Sequence, residues 1–373
     1  MKTVLTKEAK KAFDIISKLN SKNLPIVAAD GYLSAIIPLG KIKIAFGDNS
    51  LIPDNINTGL SNDMLKYISS FNPGVSIEVL AENSNTVTIK AGRSKSRFTT
   101  LDKISIDFKE FDNTQALEVE CEKLLEILNR AALMCSTDAS TQVLTKTIYI
   151  KCRSAYKDIL VMGTDGVQLT RTLFSCEGGE SDLEFMLPSQ AVKIMTMLFK
   201  ESEKLYLVST GRSLTVTNEI GTRFDFVQIE CSYPAQALFN ATTPEESATS
   251  FVFDRDAVVD SVTRCLNLSQ GQTINDFFIT LKPEQQELQI QNNSSALQFF
   301  DAVPIKCEST NEDKTVWFPA KKFLNLVKSF DEEEIKGYLG TYNRGIVLEN
   351  IPSDSTDSTI KKSGCLMPLA KKR

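Results

Sequence analysis

The residues best placed to do chemistry sit in 158-DILVMGTDGVQLTRTLF-174, where Asp165 stands between two apolar runs with a glycine behind it. An aspartate so placed can serve as a general base, ligate a metal or shape a turn. The first two roles need company that the chain withholds. It contains no histidine, which removes the commonest general base, the Ser-His and Cys-His nucleophile pairs and every histidine-containing zinc site. Its eight cysteines, at 121, 135, 152, 176, 231, 265, 307 and 365, are never closer than 14 residues, so no metal knuckle can be drawn from them. Most lie in apolar patterns and read as small buried hydrophobes of a reducing compartment. No GxxxxGK[ST] or GxGxxG phosphate loop occurs, and the run Glu332, Glu333, Glu334 reads as a solvated loop before a strand. Asp165-Gly166 therefore reads as the centre of a two-residue hairpin. No catalytic residue, metal site or cofactor is expected.

The elements that position this turn follow a pattern that repeats. At 373 residues the chain has room for two or three domains, and 42% hydrophobic with 24% charged residues is ordinary globular composition. No run of 18 apolar residues exists, and the opening MKTVLTKEAKKAFDII lacks the apolar block of a signal peptide, so a cytoplasmic protein is expected. Apolar stripes of 3.6-residue period mark helices at 7–20, 121–134 and 254–266, the last with Asp254 as its N-cap. Roughly 60 residues after each comes a second helix, at 62–71, 188–200 and 319–329, two of them opening on proline. After each second helix the period falls to two, as in VSIEVLAE, KLYLVSTG and EIKGYLGTY, and further strands (TKTIYIKC, DILVMGTDG, NDFFITLKP) separate the paired helices. Helix, strands, helix, strands recurs three times, predicting an α+β fold with domains at 1–114, 115–243 and 244–373. The joins fall near 113-NTQAL-117 and 240-NATTPEESATS-250, polar and poor in structure.

Charge follows the same division. The net charge of −5 speaks against a polyanionic partner, yet the six helical segments hold 14 Lys and Arg against 8 Asp and Glu. Basic helices on an otherwise acidic chain suit a surface that meets a phosphate backbone. With no base-reading motif present, the contact would carry no sequence readout.

Several short motifs, in order, then resemble a known family. They are 24-LPI-26, 92-GRSKSRFTTL-101, 164-TDGVQL-169, 187-LP-188, 233-YP-234 and 366-LMPL-369, spread over essentially the whole chain. Together with the threefold unit, they resemble the bacterial DNA polymerase III beta subunit, the beta sliding clamp, in a form that suits a phage- or plasmid-borne member. The resemblance implies three clamp domains, each of two helices packed on antiparallel sheets, closing into a ring as a head-to-tail homodimer around duplex DNA. It implies a non-enzymatic processivity factor for DNA replication, which tethers DNA polymerase and clamp-loader peptides in a hydrophobic groove between domains 2 and 3. Carried over by motif, that groove would comprise Leu144, Thr164, Gly166, Val167, Gln168, Leu169, Pro234, Phe239, Met367, Pro368 and Leu369. Where the family commonly has histidine then arginine after TDG, this chain has Val167 and Gln168. DNA contacts are expected from Lys22, Lys66, Arg93, Arg130, Lys193, Lys321 and Lys322, and dimer contacts from Phe98, Leu266 and Leu268. An enzyme using a carboxylate or lysine, and an interaction scaffold with no DNA role, are the competing readings.

Overall fold

The computed structural model describes residues 2–20, 24–46, 59–83, 85–102, 104–111, 116–138, 140–153, 156–176, 182–209, 212–268, 277–293, 298–308, 312–340, 345–351 and 360–369. These residues form seven α-helices and three antiparallel sheets, numbered below in chain order. All six helices read from the apolar stripes are present. They are α1 (Lys7–Leu19), α2 (Asn62–Ser69), α3 (Cys121–Met134), α4 (Ser189–Phe199), α6 (Arg255–Leu268) and α7 (Ala320–Lys328). Their starts are capped as the sequence demands. Thr6 Oγ1 accepts from the Ala9 N–H (3.1 Å) and Asp254 Oδ1 accepts from the Ala257 N–H (2.7 Å). The two prolines stand just outside their helices, Pro188 closing a strand and Pro319 at the cap position of α7. The seventh helix, α5 (Ala235–Ala241), lies beside a stretch read from the sequence as a structureless join.

The chain divides into two compact units rather than along the three repeats. The first comprises Met1–Leu125, Gly178–Glu180 and Gln190–Gln228. It contains a sheet of order β1-β5-β6-β7, built from Lys2–Val4, Ser76–Asn83, Thr86–Ala91 and Ser94–Thr99. Its second sheet runs β2-β3-β4-β15-β14-β13-β8, from Val27–Ala29, Tyr32–Ile37, Gly40–Ala45, Arg223–Val227, Ser213–Asn218, Lys204–Ser209 and Leu117–Glu120. The apolar stripes of α1 (Ala9, Ala12, Phe13, Ile16) and α2 (Met64, Leu65, Ile68) are buried, as an amphipathic helix on a sheet requires.

The second unit comprises Glu126–Glu177, Ser181–Ser189 and Ile229–Arg373. Its single sheet has twelve strands in the order β12-β9-β10-β11-β23-β22-β21-β16-β19-β18-β17-β20. The ranges of the first six are Leu183–Pro188, Thr147–Arg153, Asp158–Thr164, Gln168–Ser175, Lys361–Leu366 and Ile346–Asn350. The remaining six are Glu334–Leu339, Thr249–Asp254, Gln298–Lys306, Glu287–Asn293, Phe277–Lys282 and Lys314–Trp317. The β11–β23 ladder, from Gln168↔Leu366 to Leu173↔Lys361, joins the strands of the middle repeat to those of the last. The β4–β15 ladder does the same for the first and middle repeats. Each half of the middle repeat is thus hydrogen-bonded into a neighbour's sheet, which is why contacts group the chain into two units. On one face of the twelve-stranded sheet, α6 and α7 bury a core that includes Val258, Val262, Phe323 and Val327. On a separate patch Tyr149, Leu160, Met162, Leu169, Val347 and Cys365 form a second apolar cluster, against which α5 packs with Leu238 and Phe239.

Candidate functional site

The TDG turn joins β10 to β11 with Thr164 opposite Leu169. The Asp165 N–H donates to the Gln168 carbonyl at 3.3 Å, leaving Gly166 and Val167 at the tip. The turn is therefore shifted by one residue from Asp165-Gly166. Within the turn Gly166 alone has a positive φ, +89°, which a glycine adopts without steric cost. Asp165 shapes the turn with its side chain instead. Its Oδ1 accepts from the N–H groups of Val167 (2.9 Å) and Gln168 (3.0 Å), and its Oδ2 pairs with the Lys322 ammonium at 2.9 Å. Both carboxylate oxygens are committed to structure. Among the described residues no group of three or more Cys, Asp or Glu is arranged to hold a metal.

Beside this turn the second unit carries a cavity of about 270 Å³. It opens between α5 with the segment following it (Ala237, Ala241, Pro244) and the strand residues Tyr338 and Val347, with Met367 at its edge. Its apolar floor continues through Cys365 and Leu169 to Phe239. Arg171, 9% exposed, crosses this floor: its guanidinium lies 4.1 Å from the centre of the Phe239 ring and donates to Ser363 Oγ at 2.9 Å. Burial pulls the Arg171 pKa below the ordinary arginine value and pushes the Cys365 thiol up to about 12. Tyr149 and Tyr233 stack at 4.8 Å and 7° at the other end of the cluster, and burial raises both phenols. The Tyr233 hydroxyl, Arg171 Nε and Gln168 Oε1 have no hydrogen-bond partner among the described residues. Buried polar atoms of this kind call for water or a bound group.

The residues expected from the sequence are distributed unevenly over this site. Leu169 and Phe239 belong to its floor, and Met367, 40% exposed, lines the cavity. Thr164 and Gln168 are buried beneath the turn rather than at its mouth. Val167 is half-buried at the turn and packs against the core under α6 and α7. Gly166 and Pro234 are exposed, the latter directly before α5. Leu144, in a 3₁₀ turn over Val143–Lys146, and Pro368 and Leu369 are half-buried. Beyond β23 the tail is held by backbone hydrogen bonds, Met367 N–H donating to the Val167 carbonyl and Leu369 N–H to that of Trp317, both at 2.9 Å. Tyr338, Val347, Cys365 and Arg171 were missed. The period-2 alternation Leu169, Arg171, Leu173 was the available signal for the last.

Of the basic residues, Lys66 and Lys193 on helices and Arg93 at the β6–β7 turn are exposed in the first unit, as is Lys321 in the second. Lys66 has only a 4.0 Å contact with Asp63. Two expectations are corrected by their partners. Arg130 is 6% exposed and ion-paired with both Glu126 and Asp331, while Lys322 is taken up by Asp165. Neither cation is available to a phosphate without giving up a carboxylate. Lys22 lies outside the described residues. Of the expected dimer contacts, Phe98 is half-buried beside Tyr67 (5.3 Å between ring centres) on β7, the outermost strand of its sheet. Leu268 is 63% exposed, but Leu266 packs into the core. Phe300, which the sequence reading did not single out, is 62% exposed on β19, and among the described residues the first part of that strand pairs only with β18.

Neither a protein-family profile nor a curated relative matches the sequence. Solved structures do match. The DNA polymerase sliding clamp of Bacillus subtilis covers 100% of this chain, with 99% of its own length, at a TM-score of 0.81 and 15% identity. The fold is that of the bacterial sliding clamp. The beta subunit of DNA polymerase from Streptococcus pyogenes is similar to 99% of the chain over 100% of its own, with a TM-score of 0.81 and 18% identity. A Pseudomonas aeruginosa DnaN sliding clamp bound to griselimycin is similar over 99% of both chains, with a TM-score of 0.79 and 14% identity. The clamp fold thus accounts for the whole chain, at identities where only the architecture carries over.

Proposed function

We propose that this chain is a DNA sliding clamp, a non-enzymatic processivity factor acting on duplex DNA in the bacterial cytoplasm. The observation that carries the proposal is end-to-end similarity to sliding clamps in a chain whose helices are basic while its total charge is −5. Its repeats are the clamp domains 1–114, 115–243 and 244–373, and two copies close head to tail into a ring. The edge of β7 with Phe98 meets the edge of β19 with Phe300, and Leu268 at the end of α6 joins the contact. Encirclement makes tight binding unnecessary, so the exposed Lys66, Arg93, Lys193 and Lys321 need only weak, exchangeable phosphate contacts.

The cavity beside Met367 is the docking groove for short peptides of the polymerase and clamp loader. Its apolar floor suits an aromatic or leucine anchor, with the exposed Met367 at its edge. Light scattering tests the ring: a mass near twice 41.4 kDa is expected, and a monomer at micromolar concentration would refute it. The absence of histidine and the structural use of Asp165 disfavour an enzyme.

A further inference from the structure

The TDG turn is tied to α7 twice. Asp165 Oδ2 pairs at 2.9 Å with the ammonium of Lys322, which stands in the first turn of that helix. Val167, at the tip, packs against the core that contains Phe323 and Val327 of the same helix. The tail carries these ties to the cavity. Met367 N–H donates to the Val167 carbonyl, and Leu369 N–H donates to the carbonyl of Trp317, just ahead of α7. Met367, which lines the cavity, is therefore strung between the turn and the lead-in to α7.

The same helix carries the exposed Lys321. Its sequence AKKFLNLVK contains no acid, so a counter-ion for Lys322 must come from elsewhere in the fold. Asp165 supplies it, with the Lys322 side chain 32% exposed and that of Asp165 10%. Solvent and its anions reach the ammonium while the carboxylate stays sheltered. A lysine is a point charge on a flexible four-carbon stem, able to swing between two anions while its helix stays in place.

We propose that Lys322 is shared between Asp165 and a phosphate of duplex DNA, so that DNA and the groove peptide weaken each other's binding. This rests on reading α7 as part of the DNA surface and the cavity beside Met367 as the peptide groove. When a phosphate takes Lys322, Asp165 keeps its two backbone bonds through Oδ1 but loses its tie to α7. The turn then holds the Val167 carbonyl less firmly, and the Met367 edge is less well organised for an anchor. Each ligand lowers the affinity of the other by the same factor. A partly exposed ion pair limits that factor to roughly threefold.

The test measures both affinities on the full-length chain at low salt. The probes are a short linear duplex and an N-acetylated peptide with a leucine-phenylalanine anchor, labelled in turn and read by fluorescence anisotropy. Saturating duplex should weaken peptide binding about threefold, and saturating peptide should weaken duplex binding equally. In Lys322→Met the peptide should bind about threefold more weakly without DNA, and duplex should have no further effect. Lys321→Met should weaken duplex binding yet keep the coupling. Asp165→Asn, which frees Lys322 and keeps Oδ1, should tighten duplex binding about threefold. That gain should vanish when Lys322→Met is added, which a loosened fold would not explain. In the unmutated chain the Met367 methyl resonance should move when duplex is added without peptide. If both ligands bind and neither alters the other, or if the coupling survives Lys322→Met, the exchange is overturned and the functional reading stands. If the duplex or the peptide does not bind at all, the functional reading falls and the exchange with it.

Discussion

Asp165 divides its work between two oxygens, so substitutions there can be graded. Oδ1 accepts the Val167 and Gln168 N–H groups, and Oδ2 faces Lys322. Asparagine keeps the first oxygen and turns the second into a donor against an ammonium; alanine removes both. The ion pair joins side chains 32% and 10% exposed, and at that degree of solvation it contributes about 1 kcal/mol. Each backbone N–H that loses Oδ1 as its acceptor adds about 1 kcal/mol, water reaching the exposed tip at Gly166. Asp165→Asn should therefore cost about 1 kcal/mol and Asp165→Ala about 3 kcal/mol in urea unfolding, at unchanged m-value. Lys322→Met in a double-mutant cycle with Asp165→Asn should return a coupling of about 1 kcal/mol. If the asparagine variant were as damaged as the alanine variant, the turn would not depend on Oδ1 and the reasoning would fail.

Other consequences can be measured directly. A Cβ on Gly163 would stand 2.2 Å from the Ala131 carbonyl oxygen, a backbone atom, so Gly163→Ala should cost about 3 kcal/mol or more in the same unfolding assay. Burial pushes the Cys135 and Cys365 thiols up to about 12 from 9.0. Their folded pKa is raised, so the stability they contribute is complete below pH 9.0 and is lost as pH rises toward about 12. Cys365→Ala should flatten that alkaline decline, and an unchanged slope would contradict the assignment. Replacing Lys66, Lys193 and Lys321 together by glutamine should reduce the slope of log affinity against log salt by about 0.9 per lost phosphate contact on B-DNA, with melting temperature unchanged. A slope that does not move would remove these lysines from the DNA surface.

How far the sequence could be read depended on the range of each interaction. Six helices were legible because caps such as Thr6 and Asp254 and 3.6-residue stripes are local signals. α5 was not, since its seven residues are too few for a stripe and its burial comes from a strand cluster distant in sequence. The same applies to short strands such as β1 and β2, whose partners define them. Of the residues singled out from the sequence, Leu169 and Phe239 fall in the apolar cluster and Met367 at the cavity. Val347 and Tyr338 were not singled out, because the ladder β11-β23-β22-β21 that brings them alongside is a matter of sheet order. Arg130 and Lys322 looked available because their neutralising partners, Asp331 and Asp165, are far along the chain.

The central claim is topological, and retention on circular DNA tests it most directly. The chain, loaded on a nicked circular duplex by a clamp loader and passed through a gel-filtration column in high salt, should stay with the circle. Cutting the circle once with a restriction enzyme should then release it. A chain that dissociates from intact circles in salt, or that remains bound after linearisation, would show that it holds DNA by affinity and not by encircling it.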